Sequence, residues 1–228
     1  MKKYVILGLL IVSCLGGNLN AQNKPFIFGF KIAPNASWMK PDTKGYENDE
    51  VKMGFSWGFM VEFHLMENYK INSGINIIAN GGSLKYPEIR NKIDGELIRK
   101  YNLKYIQIPL ALKMKTNSFG KKSFYGIFGF GTNFLLSAKA NETFSSINNN
   151  VQTTDDNIDI LEEMKLLRMS LVLGIGMEYE LRKVSKLIVG INFDNGIFNV
   201  LKGQNTRNPK LQHKSINNFL EIYVGILF

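Results

Sequence analysis

Cysteine is almost absent from this sequence, and histidine is rare. The 228 residues include one cysteine, Cys14, and two histidines, His64 and His213. A structural zinc site needs several cysteine or histidine ligands and a disulfide needs a pair of cysteines, so the composition argues against both. We therefore expect no metal site and no bound cofactor, and no thiol nucleophile either if Cys14 is removed with the N-terminal segment.

Long apolar runs are also scarce. The one that stands out is at the N-terminus, where two lysines precede an apolar stretch from Tyr4 to Leu15 and a polar stretch leads to Ala21. This pattern is typical of a signal peptide, and the run is shorter than the roughly 20 residues of a membrane-spanning helix. The sequence predicts a signal peptide at residues 1–21 and a single mature domain at residues 22–228. Any membrane crossing by that domain must then use strands.

The same segment allows a second interpretation. Ile11 to Cys14 resembles a lipobox, in which Cys14 would carry a lipid and become the new N-terminus. Cleavage after Ala21 would instead remove Cys14 with the signal peptide. The two alternatives stay open at this point.

The charge balance is basic. Lys and Arg number 28 against 19 Asp and Glu, which gives a net charge of +9. Such an excess can attract anionic lipid headgroups or nucleic acid. Because the basic residues form no compact cluster and no recognition motif, we expect no nucleic-acid partner.

Alternation of apolar with small or polar residues is the strongest pattern present. In a strand, this alternation places the two classes on opposite faces. It is regular over Val51 to Leu65, Leu167 to Leu181 and Ile216 to Phe228. Five less regular segments bring the predicted number of strands to eight: Phe26 to Trp38, Lys70 to Tyr86, Arg99 to Lys115, Lys122 to Lys139 and Lys186 to Leu201.

The connections between these strands alternate in length. Short turns at residues 66–69, 116–121 and 183–185 separate long segments at Met39 to Glu50, Pro87 to Ile98, Ala140 to Glu163 and Lys202 to Lys214. Barrels of the bacterial outer membrane have short periplasmic turns and longer extracellular loops. The sequence therefore predicts an all-β fold, an eight-stranded antiparallel up-and-down transmembrane β-barrel in the cell outer membrane, with both termini in the periplasm.

The bulk of the alternate side chains indicates which face meets lipid. The interior of an eight-stranded barrel is only just wide enough for side chains, so Phe55, Trp57, Phe59 and Phe63 are expected to face outward. An aromatic girdle is expected near the periplasmic ends, at Phe63, Phe124, Tyr179 and Phe228. Charged residues on the inner face must pair when buried, which predicts a plugged barrel with an ion-pair network. Its expected members are Glu62, Glu178, Glu221, Arg168, Lys113 and Asp194.

Several segments resemble the PorT-type outer-membrane β-barrel family of Gram-negative bacteria. They are Gly29 to Asn35, Gly54 to Glu62, Tyr105 to Leu110 with Lys113, Gly129 to Gly131, and the C-terminal Ile222 to Phe228. The last resembles the aromatic signal by which the barrel-assembly machinery recognises its clients, so the resemblance implies that machinery as a partner through the Phe228 segment. Founding members take part in type IX secretion and gliding, which implies secretion-system proteins as further partners. The resemblance assigns no site residue.

Four motifs could carry chemistry, and each has a simpler explanation. Gly54 to Gly58 matches the G-x-S-x-G elbow around Ser56, but it lies inside an alternating strand, with no helix to follow. His64 shares the face of Ser56 but is about 26 Å away along the strand, at roughly 3.3 Å per residue. His213 lies in a polar loop, where solvation is expected.

The last motif is the acidic run from Asp155 to Glu163, which includes Asp156, Asp159 and Glu162. It could bind a divalent cation or form a solvated loop. Glycines at 126, 129, 131, 174 and 176 lack the setting of a phosphate loop and are expected where the barrel interior must be narrow.

Three functional hypotheses follow. The first is a non-enzymatic barrel in outer-membrane lipid that acts through its extracellular loops or protein contacts, and in a narrower form is a component of type IX secretion. The second is an outer-membrane enzyme acting on lipid or peptide. The third is a soluble eight-stranded carrier, for which the interior would have to be apolar and hollow.

Overall fold

The computed structural model describes residues 26–146, 152–182 and 185–228. The predicted signal peptide and Cys14 lie outside these ranges. The described residues form ten strands and one short 3₁₀ turn. They are β1 (Phe26–Pro41), β2 (Glu47–Asn48), β3 (Lys52–Met66), β4 (Tyr69–Arg90), β5 (Ile93–Lys115), β6 (Lys122–Ser146), β7 (Gln152–Asp159), the 3₁₀ turn Leu161–Glu163, β8 (Leu167–Glu180), β9 (Lys186–Gly196) and β10 (Ser215–Leu227).

The strands close into a barrel. Eight of them pair antiparallel around a ring in the order β1, β3, β4, β5, β6, β8, β9, β10, and β10 pairs with β1 again. The other two add to one end, where β2 pairs with β4 and β7 pairs with β6. The prediction of an all-β, antiparallel, up-and-down barrel is confirmed. Among the described residues, no helix is long and apolar enough to span a membrane.

Two of the predicted long loops are largely strand instead. β4 and β5 run through the segment 87–98 and meet at a two-residue turn, Asn91 and Lys92, with φ of 50° and 67°. Positive φ at both central residues is the signature of the type I′ hairpin turn. β6 and β7 likewise occupy most of the segment 140–163. We call this strand-built end, with the loop 197–214, the crown, and the opposite end the turn end.

The outer face carries an apolar belt. Phe55 and Trp57 are each 47% exposed and Ile222 is 55% exposed, whereas Glu62 and Glu178 are fully buried. The faces therefore point as the alternation predicted. The predicted girdle residues Phe63, Phe124 and Phe228 are exposed at the turn end, where Phe63 lies opposite Phe26 in the ladder.

The interior near the turn end is filled by buried ion pairs. Glu62 lies 2.7 Å from Lys70 and also contacts Lys113. Lys113 lies 2.6 Å from Glu178, which Lys115 approaches at 3.2 Å. These groups are buried as pairs, so each desolvated charge has an opposite charge beside it.

Further ion pairs lie nearer the middle of the barrel. Glu221 contacts Lys31 and accepts a hydrogen bond from Ser56 Oγ at 2.7 Å. Arg168 and Asp194 are 2.5 Å apart. All six residues predicted to form the interior network are therefore part of it.

Toward the crown, the interior changes from charged to apolar. Inward side chains from β4, β5 and β6 pack there against residues of the 3₁₀ turn and the loop 197–214. This core consists of Met39, Tyr46, Leu84, Tyr86, Leu97, Tyr101, Leu103, Tyr105, Leu135, Ala138, Ala140, Phe144, Ile160, Met164, Val200 and Leu201. Polar side chains such as Lys85 and Lys100 point outward at this level, so the crown is built like a water-soluble protein.

Two local expectations concern glycine and proline. The pairing of β4 with β5 skips from Ser73–Leu110 to Asn76–Gln107, so the ladder is interrupted beside Pro109, which has no N–H. This is the irregularity that the sequence predicts.

Gly126 departs from the expectation that these glycines line the narrow interior. The alternation places it outward, and a Cβ there would meet no atom closer than 3.9 Å.

Candidate functional site

The crown holds a cleft of about 530 Å³. Three neighbouring barrel strands form one side of it, and the segment 158–163 and the loop 197–214 form the other. Its lining side chains include Tyr86, Glu88, Arg90, Leu97, Arg99, Glu142, Ile158, Glu162, Glu163, Lys202, Gln204, Thr206 and His213. We call this the crown cleft.

Two arginines hold the walls of the cleft together through one buried carboxylate. Glu142 on β6 is 3% exposed and contacts both Arg90 on β4 and Arg99 on β5, the latter at 2.5 Å. Arg90 also lies 3.4 Å from Asp155 on β7, and Arg99 lies 2.6 Å from Glu163 on the 3₁₀ turn. The arginines therefore join three strands to the segment that covers them.

Three of the five acidic side chains in this run have partners in the structure, whereas Asp156 and Glu162 are exposed. Asp155 and Glu163 pair with arginine, and Asp159 accepts a hydrogen bond from the Leu161 backbone N–H at 2.9 Å. In the part of the chain that the structure describes, no cluster of histidine, cysteine or carboxylate side chains could hold a metal ion. The run is built into β7 and the following turn and is not a free loop.

An aromatic group forms the other end of the cleft. The rings of Tyr46 and Tyr86 stack at 4.5 Å, and the His213 ring lies 5.6 Å from that of Tyr86. Asn205 donates to the Tyr46 hydroxyl at 2.8 Å, and that hydroxyl lies 2.7 Å from His213 Nδ1. The Tyr46 hydroxyl donates to Nδ1 in one neutral tautomer of His213 and accepts from the Nδ1–H in the other, since its oxygen has a second lone pair beside the one that accepts from Asn205.

Burial shifts the protonation equilibria of this group. Desolvation lowers the pKa of His213, and the nearby Arg99 charge lowers it further. Burial also raises the pKa of Tyr46 to about 12. The pair is therefore neutral at pH 7 and joins the 43–46 segment to the loop 202–214. The expectation that His213 is solvated is wrong, since the ring is half-buried and bonded to Tyr46.

One carboxylate in the cleft differs from the others. Glu88 on β4 is half-buried beside Arg90 and Arg99, whose charges are engaged by Glu142, Asp155 and Glu163. Burial raises the pKa of Glu88 above its usual value. Lys202 on the opposite wall donates to the Glu162 carbonyl at 3.3 Å and is exposed. Besides the groups held in the arginine pairs, the cleft thus presents the carboxylates of Glu88 and Glu162 and the ammonium group of Lys202, together with the Thr206 hydroxyl and the Gln204 amide.

The other sequence motifs are far from the cleft. Ser56 is fully buried in β3, where its hydroxyl donates to Glu221 at 2.7 Å and lies 3.4 Å from the Ala33 carbonyl oxygen, so it is not a nucleophile elbow. His64 is exposed at the turn end, at the opposite end of the barrel. The structure does not bring Ser56, His64 and His213 together.

Sequence reasoning missed the cleft because its walls lie in segments predicted to be loops. One signal was available. From Leu97 to Tyr105 every odd residue is large, including Arg99, Tyr101 and Leu103, and the even ones are mostly polar. This two-residue alternation indicates that β5 extends toward the crown. In the extension the large residues point inward and the polar ones outward, the reverse of the membrane-facing part.

The comparisons with known proteins agree with the barrel. Residues 20–202 match the family described as outer membrane protein beta-barrel domain. No curated protein matches the sequence. Among solved structures, the chain is similar to Neisserial surface protein A, with a TM-score of 0.52 and 10% identity over 90% of this chain and 96% of that one.

Two further structures are similar at lower scores. OprG from Pseudomonas aeruginosa has a TM-score of 0.47 and 14% identity, over 89% of this chain and 95% of that one. Ail, the attachment invasion locus protein of Yersinia pestis, has a TM-score of 0.42 and 12% identity, over 90% of this chain and 100% of that one. Together with the closed ring and the apolar belt, the family match leads to one conclusion: this chain belongs to the outer membrane β-barrel domain family, and its place is the outer membrane.

Proposed function

We propose that this protein is a closed, non-enzymatic barrel of the outer membrane that binds a polar partner in the crown cleft. The observation that carries the proposal is the crown itself. The ring strands β4, β5 and β6 continue beyond the apolar belt, contribute to a separate apolar core and end around a cleft with charges of both signs. A barrel that served only to cross the membrane would not need this extension.

The filled interior supports binding rather than transport. Ion pairs occupy the half near the turn end and the apolar core occupies the other half. A cavity between Glu62, Lys113 and Tyr223 has a volume of about 30 Å³. That is room for about one or two water molecules, far less than an aqueous channel requires. The charged, filled interior also argues against the soluble carrier.

The proposed membrane arrangement is an eight-stranded transmembrane ring with the turn end in the periplasm. The start of β1 and the end of β10 lie together there, since the Phe228 N–H donates to the Phe28 carbonyl at 2.7 Å. Short turns at that end and the large crown at the other follow the usual asymmetry of outer-membrane barrels. Both termini would then be periplasmic and the crown cleft extracellular.

Cysteine labelling tests the orientation. Cleavage after Ala21 would leave a chain without cysteine, so single cysteines can be introduced as Asn91→Cys in the crown and Asn117→Cys in the turn between β5 and β6. In intact cells, a membrane-impermeant maleimide should label the first and spare the second. The reverse result would place the crown in the periplasm and remove the extracellular binding proposal.

Conductance and capture test the function. Reconstituted in planar bilayers, the protein should give no sustained channel openings, and porin-like steps would contradict the filled interior.

In mild detergent, we expect a co-purifying partner that is lost with the double variant Glu88→Gln and Lys202→Gln. The matched control is Lys121→Gln with Glu67→Gln at the turn end, which should retain it. Equal loss from both variants would exclude the cleft as the binding site.

A narrower proposal rests on the PorT-type resemblance of Gly54 to Glu62 and Tyr105 to Leu110. In it, the partner is a component of the type IX secretion system, and the barrel acts through protein contacts. Deleting the gene should then reduce secretion and gliding, and the wild-type gene should restore both. Intact secretion and gliding in the deletion strain would rule out this version and leave the cleft proposal standing.

A further inference from the structure

Three lysines converge on the outer surface, at the boundary between the apolar belt and the crown. Lys52 on β3, Lys104 on β5 and Lys139 on β6 line a pocket of about 360 Å³, together with Met53 and Ala79. The pocket spans four adjacent strands and faces away from the barrel axis. It is separate from the crown cleft, with which it shares no lining residue.

The sheet register brings the three ammonium groups to one place. The Lys52 side chain reaches across β4, where its Nζ donates to the Tyr101 carbonyl at 3.3 Å and contacts the Asn102 side chain. Asn102 lies directly opposite Lys139, and Lys104 is two residues along β5 on the same face. Diagonal neighbours of this kind are about 7–8 Å apart, within reach of long side chains.

Within the described ranges, no carboxylate forms an ion pair with any of these three lysines. The pocket lining contains no acidic residue, and none of the three lysines forms an ion pair with Asp or Glu. Asp159 lies opposite Lys139 in the ladder and offsets part of the positive charge, but it forms no ion pair with that lysine, and its Oδ1 accepts from the Leu161 backbone N–H. Three like charges in one pocket repel each other unless an anion offsets them.

The position of the pocket identifies the kind of anion. On its turn-end side lie Met53, 71% exposed, and Phe55, 47% exposed, which belong to the apolar belt. On its other side the outward residues become polar, beginning with Asn102 and Lys100. An anion held there would have hydrocarbon on one side and water on the other, which is the situation of a lipid headgroup.

We infer that this pocket binds the phosphate group of a phosphorylated lipid in the outer leaflet, with Lys52, Lys104 and Lys139 around the phosphate and the acyl chains along the belt. The inference rests on the extracellular orientation proposed above. It concerns a lipid site and requires neither the crown cleft nor its partner. It assigns to the barrel a specific lipid contact in addition to general solvation by the bilayer.

The first test compares lipids on the wild-type protein. The folded barrel in a neutral detergent is titrated with lipid A, a phosphorylated glycolipid, and with the same lipid after its phosphates are removed, and bound lipid is counted by native mass spectrometry. We expect retention of lipid A, and at least about tenfold weaker binding of the dephosphorylated form. Equal binding of the two would overturn the inference, whatever the variants do.

The second test uses the triple variant Lys52→Gln, Lys104→Gln, Lys139→Gln. Its matched control removes the same charge elsewhere, as Lys92→Gln, Lys121→Gln, Lys122→Gln, all of which are exposed. Heat-modifiable migration on gels checks that each barrel is folded. We expect lipid A binding to fall by more than about tenfold in the first variant and to stay within about twofold of wild type in the control. Equal losses in both would indicate a diffuse charge effect and overturn the site.

Free anion is the remaining alternative source of phosphate. Inorganic phosphate, added at the concentration at which lipid A saturates the protein, should not displace it. Displacement would show a site for a free anion and overturn the lipid assignment. A barrel that remains folded and extracellular at Asn91 but fails these tests would reject only the lipid site. Loss of orientation labelling would instead reject the proposal on which it rests.

Discussion

At the scale of single residues, the stability of the barrel depends on buried charges that lie in groups of opposite sign. Glu62 is fully buried between Lys70 and Lys113, and neither lysine is more than 3% exposed. Removing one charge from such a group leaves others desolvated without compensation. We expect Glu62→Gln to destabilise the barrel by about 3–5 kcal/mol. The measurement is the urea midpoint in micelles, with Glu67→Gln at an exposed turn position as control, and an unchanged midpoint would show that water reaches these lysines.

His213 gives the crown a pH dependence. Because burial lowers the pKa of His213, the folded state favours the neutral ring, and the unfolded state binds more protons as the solution is acidified. The stabilisation is complete above the ordinary histidine pKa of about 6.5 and is lost as the pH falls through it toward the lower folded value. Proteolysis of the loop 202–214 should therefore be faster at about pH 5 than at about pH 7.5. His213→Gln should lessen that difference; the same acceleration in the variant would assign it to other groups.

Residue types could be predicted where the pairing rule is strict. A charged residue on the inner face of a narrow barrel must find an opposite charge, so alternation alone predicted Glu62, Glu178, Glu221, Arg168, Lys113 and Asp194 as a network. Which carboxylate would meet which cation depends on the register between strands distant in sequence. Lys31 and Glu221, for example, come together only because β1 and β10 close the ring.

At the scale of elements, the hairpin between β4 and β5 shows what the sequence conceals. Lys92 has a positive φ of 67°, which is unfavourable for a residue with a Cβ. Replacing it with glycine should therefore stabilise the hairpin by about 1 kcal/mol. Slower amide exchange of residues 86–97 in Lys92→Gly would be the expected result. Lys44→Gly in the neighbouring crown loop is a control for removal of charge, and faster exchange in Lys92→Gly would show that the Lys92 side chain stabilises the turn by contacts.

The same hairpin explains why the predicted loops were too long. Asn-Lys is a weaker turn signal than Asn-Gly, so residues 91 and 92 carry no marked hairpin signature. The polar and apolar faces also exchange along β4, from inward Asn76 and outward Ile77 to inward Leu84 and outward Lys85. An alternating pattern predicts a strand as long as the apolar residues stay on the same face. Along β4 they change face, which interrupts the pattern although the strand continues. The crown cleft was hidden for that reason.

At the scale of the whole molecule, the C-terminal strand is the predicted contact with the barrel-assembly machinery. The exposed side chains of Ile222, Val224 and Ile226 alternate along β10, and the exposed Phe228 follows directly after the strand. The resemblance to a C-terminal aromatic signal predicts that the barrel-assembly machinery binds this segment. Deleting Phe228 should lower the amount of heat-modifiable protein in the outer membrane by several-fold. Phe119→Ala, which removes an exposed aromatic residue in a turn, is the control, and normal assembly of the Phe228 deletion would remove the proposed signal.

The overall fold was accessible from the sequence because a membrane barrel is governed by one repeated rule. Each strand must place apolar residues toward lipid and satisfy all backbone groups by closing the ring. Function follows no comparable rule, since the cleft depends on Arg90, Arg99 and Glu142, which lie on three strands and meet only after folding. Small barrels of one architecture can therefore differ entirely in what they bind.

The exchange of faces along β4 and β5 has a consequence for how the protein sits in its surroundings. A displacement by one residue pair, about 6–7 Å along the strands, would draw Lys104 into hydrocarbon or push Met53 and Ile106 into water. A displacement in either direction is unfavourable. The level at which the outward residues change from apolar to polar therefore fixes the position of the membrane surface on the barrel. The sequence of the strands thus determines how deeply the barrel lies in the membrane. A membrane of different thickness would have to deform to match the apolar belt.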